Sequence, residues 1–504
     1  MRSPLTPTDT HQKRWVLICA VLASTMAFVD ESVVNVALPR MEADLHTSLS
    51  AMQWVINAYT LCMSALLLIG GAAGDRFGRR RIFMIGISVF AGASIACGIA
   101  PDPRLLIAAR ALQGVGAAFL IPCGLALISA VYDEKERGAA IGIWSGASAV
   151  AAGAGPILGG WIVDHASWRA IFLINPILAI PALWIAVRYL TESRGAAVRT
   201  SLDWPGAITV FLGLGAIVYG LIAAAAMGWG DILVSGTILG GVFLLIIFLR
   251  IESRSAVPMV PLGLFKSRQF SGVNLLTLLL YGALSGTFFF VPFLIIQVHG
   301  YSAAAAGGIF IPFAVILGGL SKWSGRLMDR FGARWPLIIG PTIAALGLLL
   351  LAMFSEDGRY FAFILPIVVL AFGMAITIAP LTTTVLNAVK KEQTGVASGI
   401  NNAAASVAGL LVIAVMGTVA LRVLDLEIDA QLRRAQPSIA VRHDVEAARG
   451  GFVMPSASSQ LSPAERASVH EIAKASFAGT IYLVLLVMAA LAFGGASVAV
   501  LMIE

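Results

Sequence analysis

Two adjacent carboxylates lie inside an apolar segment near the start of the chain. Asp30 and Glu31 belong to a run that begins near Trp15 and ends near Pro39, long enough to cross a bilayer, which takes about 20 residues. A charged side chain at the centre of a bilayer costs at least about 3 kcal/mol on insertion scales, so such residues mostly face a water-filled cavity or a partner. The pair therefore indicates a transport role ahead of a purely structural ion pair, because ionisable groups inside membranes are so often functional.

The two carboxylates cannot both point in the same direction. Successive residues of a helix are separated by about 100°, so Asp30 projects about 100° away from Glu31. Glu31 shares one face of this helix with four other side chains, which are Ser24, Phe28, Ser32 and Asn35. The helical wheel therefore favours Glu31 as the acid that faces a central cavity.

Arg110 is the natural partner of the acidic pair. It lies in the fourth apolar run, about 9 Å from the end of that run, and Asp30 lies about 12 Å from the end of its own run on the same side of the membrane. Two roles remain open at equal weight. Arg110 either holds two helices together in a static salt bridge, or it holds a proton-binding carboxylate ionised until substrate or a conformational change weakens the pairing.

The rest of the chain consists of helices long enough to hold these residues inside a membrane. Of the 504 residues, 59% are hydrophobic and only 12% are charged, a composition that a soluble domain does not need. We predict an all-α polytopic membrane protein of about fourteen transmembrane helices. The predicted spans are roughly 15–38, 51–73, 82–100, 104–131, 138–163, 168–190, 205–227, 232–250, 270–297, 303–327, 336–354, 360–388, 393–420 and 477–502.

The distribution of basic residues predicts how the chain is oriented. The net charge of +7 is better explained by basic cytoplasmic loops than by nucleic-acid binding, and no nucleic-acid partner is expected. Arginines cluster in the loops after the second and tenth helices, so both termini are expected to be cytoplasmic. The segment 422–476 is expected to be an outward-facing loop, with a short amphipathic helix from Leu421 to Leu432 and a helix start at Ser462. The four cysteines lie inside apolar runs and are expected to be buried, not metal ligands or disulfides.

A four-residue repeat divides the chain into two halves. The sequence Asp-Arg-Phe-Gly occurs at 75–78 and again at 329–332, each time in a loop with basic residues between two apolar runs. Halves related by a parallel repeat are a transporter architecture, with the binding site at the midplane between them. The predicted organisation is a cytoplasmic N-terminus at 1–14, a six-helix bundle at 15–190, a linker with two extra helices at 191–267, and a second six-helix bundle at 268–504.

Four motifs in order resemble those of one family. The motifs lie in the first helix from Asp30 to Pro39, in the loop segment 71–80, in the fourth helix at 110–118 and in the fifth helix at 155–160. They resemble motifs of the major facilitator superfamily, in particular those of the fourteen-helix drug:proton antiporters of the EmrB/QacA type. The segments around Asp203 and 258–262, beside the extra helix pair, agree with that branch. The chain departs from the family pattern at Ser32, where Thr is usual, at Glu31, an additional acid, at Ala151, where Gly is usual, and after Asn402, where a basic or amide residue is usual.

The resemblance implies a mechanism and a set of residues. It implies Asp30 as the protonation site, with Glu31 as an acid that replaces or assists it, and the proton gradient as energy source without a cofactor. It also implies two further groups of residues. The conformational switch comprises Gly71, Asp75, Arg76, Gly78, Arg79, Asp329, Arg330 and Gly332. The antiporter motif comprises Gly155, Pro156, Gly159 and Gly160.

A further set of side chains is a candidate lining for a substrate cavity. Aromatic residues in membrane helices more often pack or face lipid, at roughly two to one, so this assignment is the weaker one. The candidates are Ser24, Phe28, Asn35, Trp54, Asn57, Tyr59, Gln113, Phe289, Gln297 and Asn401.

These observations favour a proton-coupled antiporter that exports amphipathic, cationic compounds from a bacterial inner membrane. The alternative on the same fold is an exporter of an endogenous metabolite or lipid. No phosphate-binding loop of an ATP-driven pump is present, and neither a nucleophile–base constellation nor a metal-ligand cluster indicates an enzyme. A sensor or scaffold is disfavoured by the intramembrane acids and the lack of an output domain. The expected partners are the lipid bilayer, protons and small substrates, and an accessory periplasmic partner is left open.

Overall fold

The computed structural model describes residues 10–194, 203–255, 258–389, 393–446, 449, 454–455, 458 and 461–503, and these are almost entirely helical. The helices are α1 (Thr10–Asp44), α2 (Leu49–Phe77), α3 (Arg79–Gly98), α4 (Pro103–Val131), α5 (Glu134–His165), α6 (Ala170–Tyr189), α7 (Trp204–Met227), α8 (Ile232–Arg254), α9 (Arg268–Phe293), α10 (Ala303–Gly308), α11 (Ile311–Phe331), α12 (Arg334–Met353), α13 (Tyr360–Asn387), α14 (Thr394–Ala435), α15 (Ile439–Glu446) and α16 (Pro463–Met502).

The number of membrane spans agrees with the sequence. Thirteen helices are long and apolar enough to cross a bilayer, with Ala303–Leu320 counted as one, and α2 makes a fourteenth if its two parts, which meet at a 50° bend, form one span. The prediction of an all-helical, multi-pass membrane protein is therefore confirmed.

The helices form two groups with a hairpin between them. In the first group α4 packs against α2 and α3, and α1 packs against α5 and α6. In the second group α16 packs against α9 and α12, and α13 packs against α11 and α12. The hairpin of α7 and α8 contacts both groups, because α7 lies against α2 and α14 and the hydroxyl of Thr418 donates to the carbonyl of Leu221. The extra pair of helices thus covers the seam between the groups.

The described part of the segment 422–476 is largely helical, so the expectation of a long loop was wrong, whereas the predicted helix from Leu421 to Leu432 is confirmed as part of α14. Helix α14 continues without a break to Ala435, and α16 begins at Pro463, well before its apolar part. The physical reason is a four-residue spacing of apolar side chains, since Leu424, Ile428 and Leu432 are all buried on one face. The predicted start at Ser462 is confirmed by a capping box in which Ser462 and Glu465 each bind the backbone of the other.

Among the described residues, close contacts between α5 and the second group of helices lie towards one end of the molecule. We call the end that carries both Asp-Arg-Phe-Gly turns the motif face, and the opposite end the distal face. Towards the distal face, Gly153 of α5 packs directly against Ala314 of α11. About two and three turns nearer the motif face on α5, side chains built at Gly146 and Gly142 would meet no other described residue within 4 Å. In the described part of the chain, α5 and α11 therefore diverge towards the motif face, so that the interior is open on that side and closed towards the distal face.

Candidate functional site

A buried ion pair joins α1 to α4 in the interior of the first group of helices. Asp30 and Arg110 are both almost completely inaccessible to solvent, and Arg110 Nη1 donates to Asp30 Oδ2 at 2.5 Å. The guanidinium also donates to the carbonyl of Val55 at 3.0 Å and to Gln113 Oε1 at 2.7 Å. A buried ion pair is retained at a high desolvation cost, which is offset only when further hydrogen bonds satisfy its remaining atoms. The contacts with Val55 and Gln113 supply such hydrogen bonds for the guanidinium.

The second oxygen of Asp30 is held by two amides. Gln113 Nε2 and Asn175 Nδ2 each donate to Asp30 Oδ1 at 2.7 Å, and both also donate to the hydroxyl of Ser94. Asn175 comes from α6 and was missed by the sequence analysis. The available signal was that it is the only amide side chain in the apolar helix Ala170–Tyr189. The carboxylate of Asp30 thus receives hydrogen bonds from three side chains on two other helices.

An aromatic ring covers the other side of the guanidinium. The carbon at the centre of the Arg110 guanidinium lies 4.3 Å from the ring centre of Tyr59 on α2 and 6.0 Å from that of Phe172 on α6. A desolvated cation–π contact of this kind contributes about 2 kcal/mol. Among the residues that the structure describes, Asp30 is the only carboxylate within ion-pair distance of Arg110. Any change in the charge of Asp30 therefore leaves an enclosed cation without its partner.

Glu31 has a different environment from its neighbour. Asp30 points toward α4 and α6, while Ser32 and Val33 pack against glycines of α5. The remaining direction around α1 belongs to Glu31, which is exposed although it lies in the middle of the helix. It remains close enough to Arg110 and Tyr59 to interact electrostatically with both. The structure therefore places one acid in a closed network and the next in the opening between the two groups of helices.

Comparison with known proteins identifies the fold. Residues 20–413 match the family model described as Major Facilitator Superfamily. The chain belongs to the major facilitator superfamily. This confirms the superfamily that the sequence motifs indicated, and with it a transporter fold.

Curated relatives of this transporter carry names of resistance and export proteins. The chain is 33% identical to the multidrug resistance protein Stp of Mycobacterium tuberculosis, over 85% of this chain and 79% of that one. It is 32% identical to the tetracenomycin C resistance and export protein of Streptomyces glaucescens, over 96% and 91% of the two chains. The puromycin resistance protein of Streptomyces alboniger is 37% identical, over 80% and 81%. The relatives thus match the drug-resistance branch that the resemblance predicted.

Solved structures show the same fold at low sequence identity. A bacterial homologue of the human lysosomal transporter Spinster, in an inward-facing and unoccupied conformation, superposes with a TM-score of 0.65 at 17% identity, covering 98% of both chains. At this identity the likeness supports the fold alone.

Most of the predicted cavity residues of this transporter do not line the central opening in this conformation, and their role in a substrate cavity stays a prediction. Phe28 and Asn35, on the same face of α1 as Glu31, remain partly accessible. The others are held by packing or hydrogen bonds. Tyr59 covers Arg110 and Gln113 binds Asp30, so both belong to the closed network. Ser24 accepts a hydrogen bond from Trp144 at 2.7 Å, Gln297 accepts one from the backbone of Met454, and Asn401 donates to Asn274 and Thr277. Trp54 lines a peripheral groove beside α7, and Phe289 is buried among the aromatic side chains of α9.

Asn57 is a separate case among these residues. Its side chain is fully buried on α2, and neither of its polar atoms has a hydrogen-bond partner in the described part of the chain. It therefore does not face the opening in this conformation.

The first copy of the repeated turn is clamped by the end of α6. Asp75 binds Arg79 at 2.7 Å, and Gly78 has a φ of +114°, a conformation that favours glycine. The carboxylate of Glu192 accepts from the backbone amides of Arg80 and Arg81 at 3.0 and 3.2 Å, which caps the start of α3. The turn between α2 and α3 is thus tied to the segment that leads into the α7–α8 hairpin.

The remaining switch residues have fewer described contacts. Arg76 and Arg330 each lie over the phenylalanine that follows them, at 5.4 and 5.3 Å from the ring centre, and Gly332 has a φ of +71°. Gly71 packs against Pro122 of α4. The side chain of Asp329 lies outside the described residues.

The glycines of the fifth-helix motif allow α5 to touch both groups of helices. A side chain at Gly155 would collide with Ser32, and one at Gly159 with Val33, both on α1. A side chain at Gly160 would collide with the backbone of Ala303, and the carbonyl of Pro156 lies against Gly307, both contacts being made to α10. The motif therefore holds α5 between α1 and α10 at the distal face.

Proposed function

We propose that this transporter is a proton-coupled exporter of amphipathic, cationic compounds that works by alternating access. The observation that carries the proposal is the contrast between two neighbouring acids, Asp30 in a closed network with Arg110 and Glu31 in the opening. The names of the relatives, which include multidrug and antibiotic resistance proteins, support export of compounds of this class.

Protonation of Asp30 would force the network to rearrange. Both of its oxygens now accept hydrogen bonds from N–H donors. A protonated carboxyl has an O–H that must donate, so at least one of these donors has to move away. Arg110 would at the same time lose its counter-charge inside an apolar environment, which is strongly unfavourable for a buried cation. A proton on Asp30 is therefore coupled to the relative positions of α1, α4 and α6.

Glu31 is suited to a different task. A cationic compound that enters the opening meets an accessible carboxylate at about the depth of the membrane centre, in a place where charges are poorly screened. Its charge also acts on Arg110 and Asp30. A bound cation would hold the acids ionised and a bound proton would favour release of the cation, which is the competition that antiport requires. We assign proton transfer to Asp30 and cation attraction to Glu31.

The orientation follows from the charges of the loops. The motif face carries Arg76, Arg79, Arg80 and Arg81. The first and last described residues of the chain lie at the same face, where Arg268 donates to the carbonyl of Leu501. We therefore propose that the motif face is cytoplasmic, in a bacterial inner membrane, and that the structure is open to the cytoplasm. A single cysteine at Ser458 should react with an impermeant reagent in intact cells, whereas one at Ser193 should be protected. The reverse pattern would invert the orientation.

The function is tested by proton movement in proteoliposomes. Addition of a cationic amphipath to vesicles that hold the purified transporter should release protons from it or carry them across the membrane, and no cofactor should be needed. Neutral and anionic compounds of similar size serve as controls for charge preference. A transporter that moves the compound at the same rate with and without a pH gradient would contradict proton coupling.

Export of an endogenous metabolite is the second candidate. Some relatives are named for products of secondary metabolism, among them a cephamycin export protein and a probable actinorhodin transporter. A transporter of this kind should respond to one structural class in the proteoliposome assay, whereas a multidrug exporter should respond to several unrelated cations.

A further inference from the structure

A carboxylate on one group of helices binds the backbone of the other at the distal face. Asp164, near the end of α5, accepts hydrogen bonds from two successive backbone amides at the start of α10. Its Oδ1 lies 3.0 Å from the nitrogen of Ala303, and its Oδ2 lies 2.7 Å from that of Ala304. The two bonds join parts of the chain that are 139 and 140 residues apart and belong to different halves.

The helix start that Asp164 binds has only one cap of its own. Ser302 accepts from the amide of Ala305 at 3.1 Å, so the amides of Ala303 and Ala304 depend on the other half of the molecule for their partner. The same junction contains close backbone approaches between the halves, at Gly160 and Gly307. Two charge-assisted hydrogen bonds therefore lie beside a packed seam that must separate if the distal side is ever to open.

Alternating access requires this seam to open once in every cycle. The bonds of Asp164 to α10 are made when the distal face is closed and are lost when α5 and α10 move apart. An interaction that exists in one of two conformations shifts the equilibrium toward that conformation by its own free energy. We propose that Asp164 is a gating residue, whose carboxylate favours the conformation that is closed at the distal face. The role of this gate in export rests on the proposed function.

Asp164 does not close the distal face alone. On the other side of the seam, Gln53 of α2 donates to the carbonyl of Ile413 on α14 at 2.7 Å. Removal of Asp164 should therefore shift the conformational equilibrium without abolishing closure. Loss of an N-terminal capping side chain costs about 0.5–2 kcal/mol, which corresponds to a change of about 2- to 30-fold in the ratio of open to closed molecules.

The chain offers a matched control in Asp102. This residue accepts from the backbone amides of Arg104 and Leu105 at 2.8 and 3.0 Å, the same number of bonds at the same face, but it does so within its own half. A second control is Ser302, which caps α10 from within the second half. Replacement of either residue weakens a helix start without breaking a contact between the halves.

The experiment measures the distal distance by double electron–electron resonance in nanodiscs. Spin labels are placed on cysteines introduced at Ser48 in the first half and Glu356 in the second, both exposed, while the four native cysteines are buried. Asp164→Ala should increase the population with the longer distance by about 2- to 30-fold. Asp102→Ala and Ser302→Ala should leave the distribution unchanged. Asp164→Asn, which keeps one acceptor oxygen, should lie between wild type and Asp164→Ala.

Two results would overturn the gate. One is a distribution for Asp164→Ala that equals that of wild type, and the other is an equal shift in Asp102→Ala, which would show a general loss of stability. A monodisperse gel-filtration profile for each variant excludes misfolding. Because the distance measurement needs no substrate, a shifted distribution in a protein that exports nothing would support the gate and refute the proposed function. Proton-driven export together with an unshifted distance distribution in Asp164→Ala would support the proposed function and refute the gate.

Discussion

The two halves of this transporter differ in what they bury. Among the described residues, all buried charged side chains lie before residue 268, and these are Asp30, Glu42, Arg110 and Glu252. The second half also has a polar cluster between two of its helices, but that cluster is neutral. Asn401 of α14 donates to Asn274 Oδ1 at 3.2 Å and to Thr277 Oγ1 at 2.7 Å, both on α9.

This difference in buried charge indicates that the two halves have different roles in proton coupling. A neutral amide that finds its hydrogen-bond partners inside a membrane costs little to bury, whereas an ion pair has to be compensated by a full set of further contacts. Among the described residues, the buried carboxylates, whose charge a proton can change, therefore all lie outside the second half. The second half, whose buried polar cluster is uncharged, is the part of the molecule against which the first half can move.

The largest expected effect comes from Asp30→Asn, which removes the buried carboxylate that pairs with Arg110 in the first half. Uphill export in vesicles under a pH gradient should be abolished, because the proposed site of proton transfer is lost. Arg110 loses its counter-charge, so the free energy of unfolding should fall by about 3–5 kcal/mol. The double variant Asp30→Asn/Arg110→Gln should recover part of this stability without recovering export. Wild-type export by the single variant would place proton coupling elsewhere.

A smaller effect is expected at the repeated turns, which test whether the halves also differ at the motif face. Asp75→Asn breaks the contact with Arg79 in the clamped turn of the first half and should reduce the export rate by roughly tenfold. Substrate affinity should stay close to wild type, since the turn lies at the end of α2, whereas Glu31 lies in the middle of α1. The comparison variant is Arg330→Ala in the second half, an exposed residue whose loss should matter less. Equal losses of export would show that both turns are equivalent, and a comparable loss of affinity in Asp75→Asn would exclude a purely conformational role.

Glu31→Gln separates the two acids of the first half. The change keeps size and hydrogen bonding but removes the accessible charge, so export of cations should fall while export of neutral compounds is retained. The measurement is the ratio of cationic to neutral export rates, compared with that of wild type. An unchanged ratio would remove Glu31 from substrate selection and leave Asp30 as the only functional acid of α1.

The smallest effects come from a matched pair of amides, one in each half. Asn175 and Asn401 are both buried, and each donates two hydrogen bonds through its Nδ2. Replacement by Ala should lower stability by about 1–3 kcal/mol at either position, since buried acceptors lose their partner. Export should fall several-fold only for Asn175→Ala, because only Asn175 contacts Asp30. A similar loss of export in Asn401→Ala would show that the second half takes part in proton coupling.

Much of the architecture could be predicted from the sequence. A run of about 20 apolar residues must become a membrane helix wherever it occurs, so the number of spans and the all-helical fold depend on local composition alone. The similar depths of Asp30 and Arg110 in their helices were also readable, because rise per residue is constant. The motifs were sufficient to recognise the superfamily.

Side-chain surroundings were decided only by the tertiary structure. A helical wheel gives the direction of a side chain relative to its own axis, but the neighbour in that direction comes from a helix far away in sequence. For this reason Trp54 and Phe289 were assigned to a cavity although one lines a peripheral groove and the other is packed, and Asn175 was overlooked. The continuation of α14 through a charged segment, and the contact of Asp164 with α10, likewise arise from packing between distant segments. Composition determined which residues are in the membrane, and packing determined which of them meet.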